Sequence, residues 1–256
     1  VPIFSVITAV RDGRDAYLPE AYESVAGQRL PKGWSLQWLV QEDGKTGKPL
    51  DRLPDKPWIS KDAGETGGSA QTRTLALQHA EGVLTRTLDA GDLFPDNATL
   101  ARDIEALAAN PDLGWTVAPG LELHLDGRLV PAPHDLLPGR LASGCLAASL
   151  RTGSMSLTGA TATIYTELVV AHGGWPAIPS CEDAGPLLAA EAVVDGWVQE
   201  KPGGILRKRS TPPTTGPEHR HQRERERAVH IGVVLGRADA IRELGWRWQP
   251  SEPVTI

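Results

Sequence analysis

The sequence predicts an α/β fold, a single open mixed sheet flanked by helices with a small antiparallel addition. Three observations carry that expectation. Short apolar runs rich in β-branched residues stand at Ile3 to Val10, Trp34 to Val40 and Val83 to Leu88, as buried strands do. Stretches of helical spacing lie between them, and strand, helix, strand in this order implies a right-handed parallel unit. Each run also ends in a charged turn containing glycine, the place where open α/β sheets bind their ligands.

Taken in order, Ile3 to Val10 is the first strand and Arg11-Asp12-Gly13 the turn at its carboxyl end. Tyr17, Leu18, Ala21, Val25 and Ala26 recur at helical spacing, which predicts an amphipathic helix over about 16 to 28. The strand Trp34 to Val40 stops at Gln41-Glu42-Asp43-Gly44, and residues 44 to 64 read as a loop with one short strand at Trp58-Ile59. Thr66-Gly67-Gly68-Ser69 opens a helix from Ala70 to His79, and a glycine-rich helix start offers free amides and the positive end of a dipole to an anion. After Gly82 comes the strand ending at Asp89.

Pro95 to Ala109 reads as a helix with Leu100, Ile104, Leu107 and Ala108 on one face, stopped by Asn110-Pro111. Trp115 to Ala118 and Leu121 to Leu125 read as strands forming an antiparallel addition to the sheet. Residues 131 to 156 resist assignment beyond a helix around Pro138 to Leu150. A strand is expected at Ala160 to Ile164, helices at Thr166 to Ala171 and Pro186 to Asp195, and a last strand from Gln199 to Leu206. From His219 to Leu244 the pattern is helical, with charges of alternating sign at 223 to 227 that mark a solvated face.

Composition narrows the function. At 256 residues the chain can bury a large core, and its net charge of -6, from 26 basic and 32 acidic residues, argues against a nucleic-acid binder. No apolar run reaches the roughly 18 residues that span a bilayer, and no secretory pattern opens the chain, so a soluble, cytoplasmic protein is expected. Cys145 and Cys181 are too few and too far apart for a zinc site and are read as free thiols.

The acids at strand ends give the sharpest signal. Leu88-Asp89-Ala90-Gly91-Asp92 holds two carboxylates separated by small residues, a seat for a hard divalent cation, although the same residues also make an ordinary acidic turn. Read with its surroundings, the stretch from Ile3 to Asp92 resembles the donor half of family 2 inverting glycosyltransferases of the GT-A fold, in the nucleotide-diphospho-sugar transferase superfamily. Five features stand in register: the opening strand and turn; a helix containing Tyr17-Leu18-Pro19-Glu20-Ala21-Tyr22-Glu23-Ser24-Val25; the acid pair Glu42-Asp43-Gly44; Gly68 and Arg73 ahead of Ala80-Glu81-Gly82; and Leu88 to Asp92. Gly159 to Ile164, Gly173-Gly174-Trp175 and Cys181-Glu182-Asp183 resemble, more loosely, the segment that lines the sugar and acceptor site.

The resemblance implies one GT-A-type, Rossmann-like domain over 1–256, with a donor half at 1–92, an acceptor and base half at 93–210, and a helical tail at 211–256. It implies a nucleoside-diphosphate sugar held by Thr8, Ala9, Arg11, Glu42, Asp43, Gly68, Arg73, Asp89 and Ala90. A manganese or magnesium ion would sit on Asp92 and Asp89. Asp183 would be the base that deprotonates the acceptor, with Glu182 beside it and Trp175 against a sugar. Three departures stand out: Gly91 where the family usually has a further Asp, Thr74 where an Asn often follows the Arg, and Arg207-Lys208-Arg209 without the His of the late phosphate-contacting loop.

Each of these residues also has a plain structural reading. Glu42-Asp43-Gly44 makes a turn, Asp183 can cap the following helix, Trp175 can pack in the core, and Arg207 to Arg209 can be a surface cluster. The activity expected is non-processive, inverting transfer to a hydroxyl or amine of a small acceptor, since no membrane span and no processive-synthase signature is present. The alternatives are a sugar nucleotidyltransferase, for which Thr8-Ala9-Val10-Arg11-Asp12-Gly13 is a poor match, and a nucleotide-sugar binder without activity.

Overall fold

The computed structural model describes residues 1–134, 136–152, 159–208 and 217–256, with only the backbone of 217–223. The first part of the chain runs β1 (Ile3–Val10), α1 (Leu18–Ala26), β2 (Ser35–Asp43), β3 (Ile59–Gly64), α2 (Ser69–Leu77) and β4 (Leu84–Thr87). There follow α3 (Thr99–Ala109), β5 (Trp115–Val117), β6 (Gly120–Leu123), β7 (Leu129–Pro131), β8 (Gly139–Leu141), α4 (Cys145–Arg151), β9 (Thr163–Tyr165) and α5 (Thr166–Ala171). The chain continues through α6 (Ala184–Glu191), β10 (Gly196–Val198), β11 (Gly204–Arg207) and α7 (Pro217–Glu243). Among the described residues no helix is long and apolar enough to cross a membrane.

The main sheet has eight strands in the order β3-β2-β1-β4-β9-β5-β10-β8, and a second sheet has the order β11-β6-β7. Strands β1, β2, β3 and β4 are parallel, in a register that brings Val10 beside Glu42 and Ile7 beside Thr87. β9 runs antiparallel between β4 and β5. The chain crosses from β1 outward to β2 and from β3 back to β4. Right-handed crossovers therefore put α1 and α2 on opposite faces and leave a crevice at the carboxyl ends of β1 and β4.

Local chemistry explains the elements. In α1, Leu18, Ala21 and Val25 face inward, and Pro19 sits in the first turn, where its missing amide costs nothing. β1 is covered on both faces and so carries Phe4, Val6, Ile7 and Val10 in the core, with the hydroxyls of Ser5 and Thr8 buried among them. Burying each such side chain contributes about 1.5–3 kcal/mol.

Several boundaries differ from the sequence expectation. β2 continues through Gln41-Glu42-Asp43 instead of turning there, because β1 and β3 flank it and satisfy its backbone on both edges. β3 is the full stretch Ile59–Gly64, an edge strand whose Ser60, Lys61 and Asp62 hide the apolar signal. The two strands around Pro119 do not form one antiparallel addition. β5 joins the main sheet between β9 and β10, and β6 leaves for the second sheet, parallel to β11 and antiparallel to β7. The expected last strand, Gln199 to Leu206, is instead the shorter β11, Gly204–Arg207, in the second sheet, while β10 precedes it at Gly196–Val198 in the main sheet. In place of a helix from Pro138, an edge strand (β8) precedes α4, and the helix expected at Pro186 begins at Ala184.

A polar network is buried beneath the crevice. Asp103 accepts hydrogen bonds from Arg86 Nη1 (2.8 Å), Thr163 (2.6 Å), Thr116 (2.9 Å) and Gln199 Nε2 (3.0 Å). Arg86 Nη2 donates to the Gly203 carbonyl at 2.5 Å. One carboxylate thus joins α3, β4, β5, β9 and the approach to β11. Burial pulls the Arg86 guanidinium below the ordinary arginine pKa, and Asp103 opposes that shift.

Candidate functional site

Four segments meet at the carboxyl edge of the parallel strands: the end of β2, the start of α2, the turn after β4 and the residues leading into α6. Asp43, at the end of β2, accepts the amides of Gly67 (2.7 Å) and Gly68 (3.0 Å). The carboxylate therefore fastens the glycine turn that leads into α2 to the end of β2.

Arg73, one turn into α2, bridges the two halves. Its Nη2 donates to Asp89 Oδ1 at 2.5 Å and its Nη1 to Glu182 Oε1 at 3.2 Å, with the side chain 6% exposed. Ser69, four residues earlier on the same helix face, donates its hydroxyl to the same Glu182 oxygen at 2.6 Å. Burial alone would lower the Arg73 pKa, but the Asp89, Glu182 and Asp183 charges outweigh it and hold the guanidinium above its ordinary value. Arg73 Nε is buried without a hydrogen-bond partner. Acids separated by more than ninety residues thus flank one cation.

The turn after β4 closes through the Asp92 amide, which donates to the Asp89 carbonyl at 2.9 Å. Asp92 Oδ1 accepts the Arg207 amide at 2.9 Å, and Arg207 Nε donates to the Gly91 carbonyl at 2.9 Å. Beyond that, Arg207 reaches Glu20 of α1 at 2.6 Å and covers the Tyr17 ring at 3.9 Å. Its guanidinium therefore lies toward α1, away from the Arg73 cluster. Lys208 pairs with Glu122 at 2.5 Å, and Arg209 lies outside the described residues.

The segment before α6 is tightly constrained. Cys181 has a φ of 62°, in the left-handed region that side chains disfavour. A Cβ on Gly159 would sit 1.8 Å from the Asp183 carbonyl oxygen, so only glycine lets these two backbones touch. Asp183 occupies the cap position of α6, but its side chain makes no cap hydrogen bond. Both cysteines are free thiols.

Other predicted site residues are differently placed. Thr8 is fully buried, donates to the Leu88 carbonyl at 2.7 Å and accepts from Trp38 Nε1 at 2.9 Å, so its hydroxyl ties β1 to β4 rather than facing a ligand. Glu42 accepts from the Thr46 amide (3.0 Å), the Thr46 hydroxyl (2.7 Å) and the Gly47 amide (2.7 Å), which commits both its oxygens to the following loop. Trp175 is buried in the core. Ala90 is buried in the acidic turn, while Ala9 is half-buried and Arg11 exposed at the end of β1.

Two residues that carry the geometry had no role assigned from the sequence. Ser69 holds Glu182, and Thr74 Oγ1 meets the Trp175 amide at 3.1 Å and its carbonyl at 3.5 Å. The signal for Ser69 was its position four residues before Arg73, which places both on one helix face. Thr74, read only as a departure from a family Asn, fastens the Gly173-Gly174-Trp175 segment to α2.

The turn supplies only hard oxygen donors, which suits magnesium or manganese. Among the described residues no group of three His, Cys, Asp or Glu side chains is placed to hold a metal ion. A cavity of about 410 Å³ lies beside the turn, between Arg14 and Tyr17 on one wall and His124, Arg207 and Lys208 on the other. A cavity of about 780 Å³ at the opposite strand ends, near Gln37, Trp58 and His79, has no part in the cluster.

No protein-family model and no curated protein matches this sequence. Solved structures do. Staphylococcus aureus TarS 1-349 in complex with UDP-GlcNAc superposes with a TM-score of 0.64 at 21% identity, covering 93% of this chain and 70% of that one. The same protein in complex with UDP gives 0.61 at 20% identity over 93% and 69% of the two chains. Against longer S. aureus TarS the score is 0.60 at 21% identity, covering 95% of this chain and 44% of the other. The fold of this chain, a large mixed sheet flanked by helices with a small second sheet, is therefore the GT-A fold.

Proposed function

We propose that this chain is a non-processive, inverting glycosyltransferase that moves a sugar from a nucleoside-diphosphate sugar to a hydroxyl or amine of a small acceptor. The observation that carries the reading is the Arg73 bridge, which unites Asp89 of the donor half with the Glu182-Asp183 segment of the acceptor half. The likeness in fold to a protein solved with UDP-GlcNAc and with UDP supports a nucleotide-sugar donor.

In this reading Asp43, Arg73 and Asp89 bind the nucleoside and its phosphates, with Ala9 and Arg11 along the end of β1. Arg73 takes part by exchanging carboxylate partners for phosphate oxygens, for which its planar fork is suited. Asp183 faces the anomeric carbon from the side opposite the diphosphate and accepts the acceptor's proton as the new bond forms and the bond to the diphosphate oxygen breaks. Asp92 and Asp89 would hold a magnesium or manganese ion, which supplies neutralisation of the leaving diphosphate.

The test is UDP release from UDP-GlcNAc and a panel of other nucleotide sugars, with and without manganese. Asp183→Asn should lower the rate by about 10² to 10⁴, the usual contribution of a positioned base. Its affinity for UDP, measured by calorimetry, should stay within about threefold of the parent. UDP bound without any release from any donor would identify a binder instead. Asp183→Asn at full rate would remove the base assignment.

A further inference from the structure

Resting on that reading, we infer that Ser69 is a positioning residue for Asp183, acting through Glu182, and that Glu182 belongs to this support rather than to the reacting groups. Glu182 Oε1 already takes two donors, the Ser69 hydroxyl at 2.6 Å and Arg73 Nη1 at 3.2 Å, and its side chain is only 14% exposed. A carboxylate oxygen so engaged is an anchor.

The segment it anchors needs one. Cys181 is held at a positive φ of 62°, and Asp183 packs its carbonyl against the backbone of Gly159, where even a methyl group would clash. Such a conformation persists only where its surroundings impose it. Two side chains of α2 grip Glu182, and they differ in kind. Arg73 also serves Asp89, so its hold on Glu182 is shared with the donor half and changes when phosphate competes for the guanidinium. The Ser69 hydroxyl is the hold that stays constant while donor and product exchange.

Thr74 reinforces the arrangement one turn further along, through the Trp175 backbone. The first turns of α2 therefore hold Glu182 and, further back along the same connection, Trp175, from a helix whose leading Gly67-Gly68 turn is fastened by Asp43. The same helix start orients the donor half and the base.

The experiment is a double-mutant cycle on the full chain, following UDP release from UDP-GlcNAc with Ser69→Ala, Ser69→Thr, Asp183→Asn and the double variant Ser69→Ala with Asp183→Asn. Ser69→Ala should lower kcat about tenfold, the loss of one hydrogen bond to a charged group. KM for UDP-GlcNAc and UDP affinity should hold within about twofold, which also shows that the variant folds. Ser69→Thr should restore most of kcat, since it returns the hydroxyl. On the Asp183→Asn background, Ser69→Ala should cost nothing further, because a residue that acts through the base has nothing left to position.

A Ser69→Ala enzyme at the parent rate overturns the inference while leaving Asp183 as the base. A tenfold loss that repeats in full on the Asp183→Asn background overturns it too, by showing an independent role. Asp183→Asn at the parent rate overturns the base assignment itself, and this inference with it.

Discussion

Removing Asp103 should be the most damaging single change in the protein outside the crevice, and its cost can be worked from the network it holds. Asp103 and Arg86 have side-chain exposures of 2% and 1%, so neither charge has water as an alternative partner. Asp103→Leu would leave Arg86 charged in the interior with the Gly203 carbonyl and the face of the Phe94 ring, and would strip the shared carboxylate acceptor from Thr116, Thr163 and Gln199. Breaking a buried pair in this way costs about 3–5 kcal/mol. For a chain of this size each kcal/mol moves the thermal midpoint by about 2–4 °C, so a fall of about 6–20 °C is expected. The controls are Arg86→Met, which leaves a carboxylate still holding three neutral donors, and the double variant, which leaves no buried charge. Thermal unfolding followed by circular dichroism, with urea midpoints alongside, should rank the double variant above Asp103→Leu. A double variant less stable than Asp103→Leu would refute the view that an orphaned guanidinium dominates the loss.

Three further outcomes are expected. Gly174→Ala should lower stability by about 1–2 kcal/mol, because Gly174 has a φ of +73° and an added Cβ would meet Thr74 Oγ1 at 2.7 Å. Adding Thr74→Ala should recover only the steric part, as urea midpoints will show. Asp43→Ala removes the acceptor of two amides at the start of α2, so it should cost about 1–2 kcal/mol in stability and weaken UDP binding by calorimetry. Burial, and secondarily the Arg237 charge, holds the His172 pKa below its ordinary 6.5. The unfolded chain then takes up that proton more readily than the folded one, so stability should fall as pH drops below about 6.5. His172→Gln should flatten that part of the stability profile against pH.

Elements whose register with the core repeats in the sequence were legible. β1 and α1 were found where the apolar period placed them, because each buries one continuous surface. Asp89 was singled out as a charged residue at a strand end and Arg73 through its place in the family resemblance, and the structure joins the two in an ion pair. What did not show was pairing across distance. β6 and β11 are half-buried strands of four residues each, and nothing local says that they leave the main sheet for each other. β3 was hidden by its polar edge. The commitment of Thr8 was equally invisible, since its partners Leu88 and Trp38 are fixed by packing rather than by spacing, and that of Glu42 was missed although its partners stand in the next turn, at 46 and 47.

The acidic turn and the second sheet are stitched together by three backbone amides. Leu93 and Ile205 exchange hydrogen bonds of 3.1 and 2.8 Å, and the Arg207 amide closes on Asp92 at 2.9 Å. None of these amides belongs to the Arg73 cluster, yet all three depend on where the turn sits. Their rates of deuterium uptake are therefore a built-in gauge: a molecule that seats itself on Asp89 and Asp92 slows them, and one that settles elsewhere leaves them as they were.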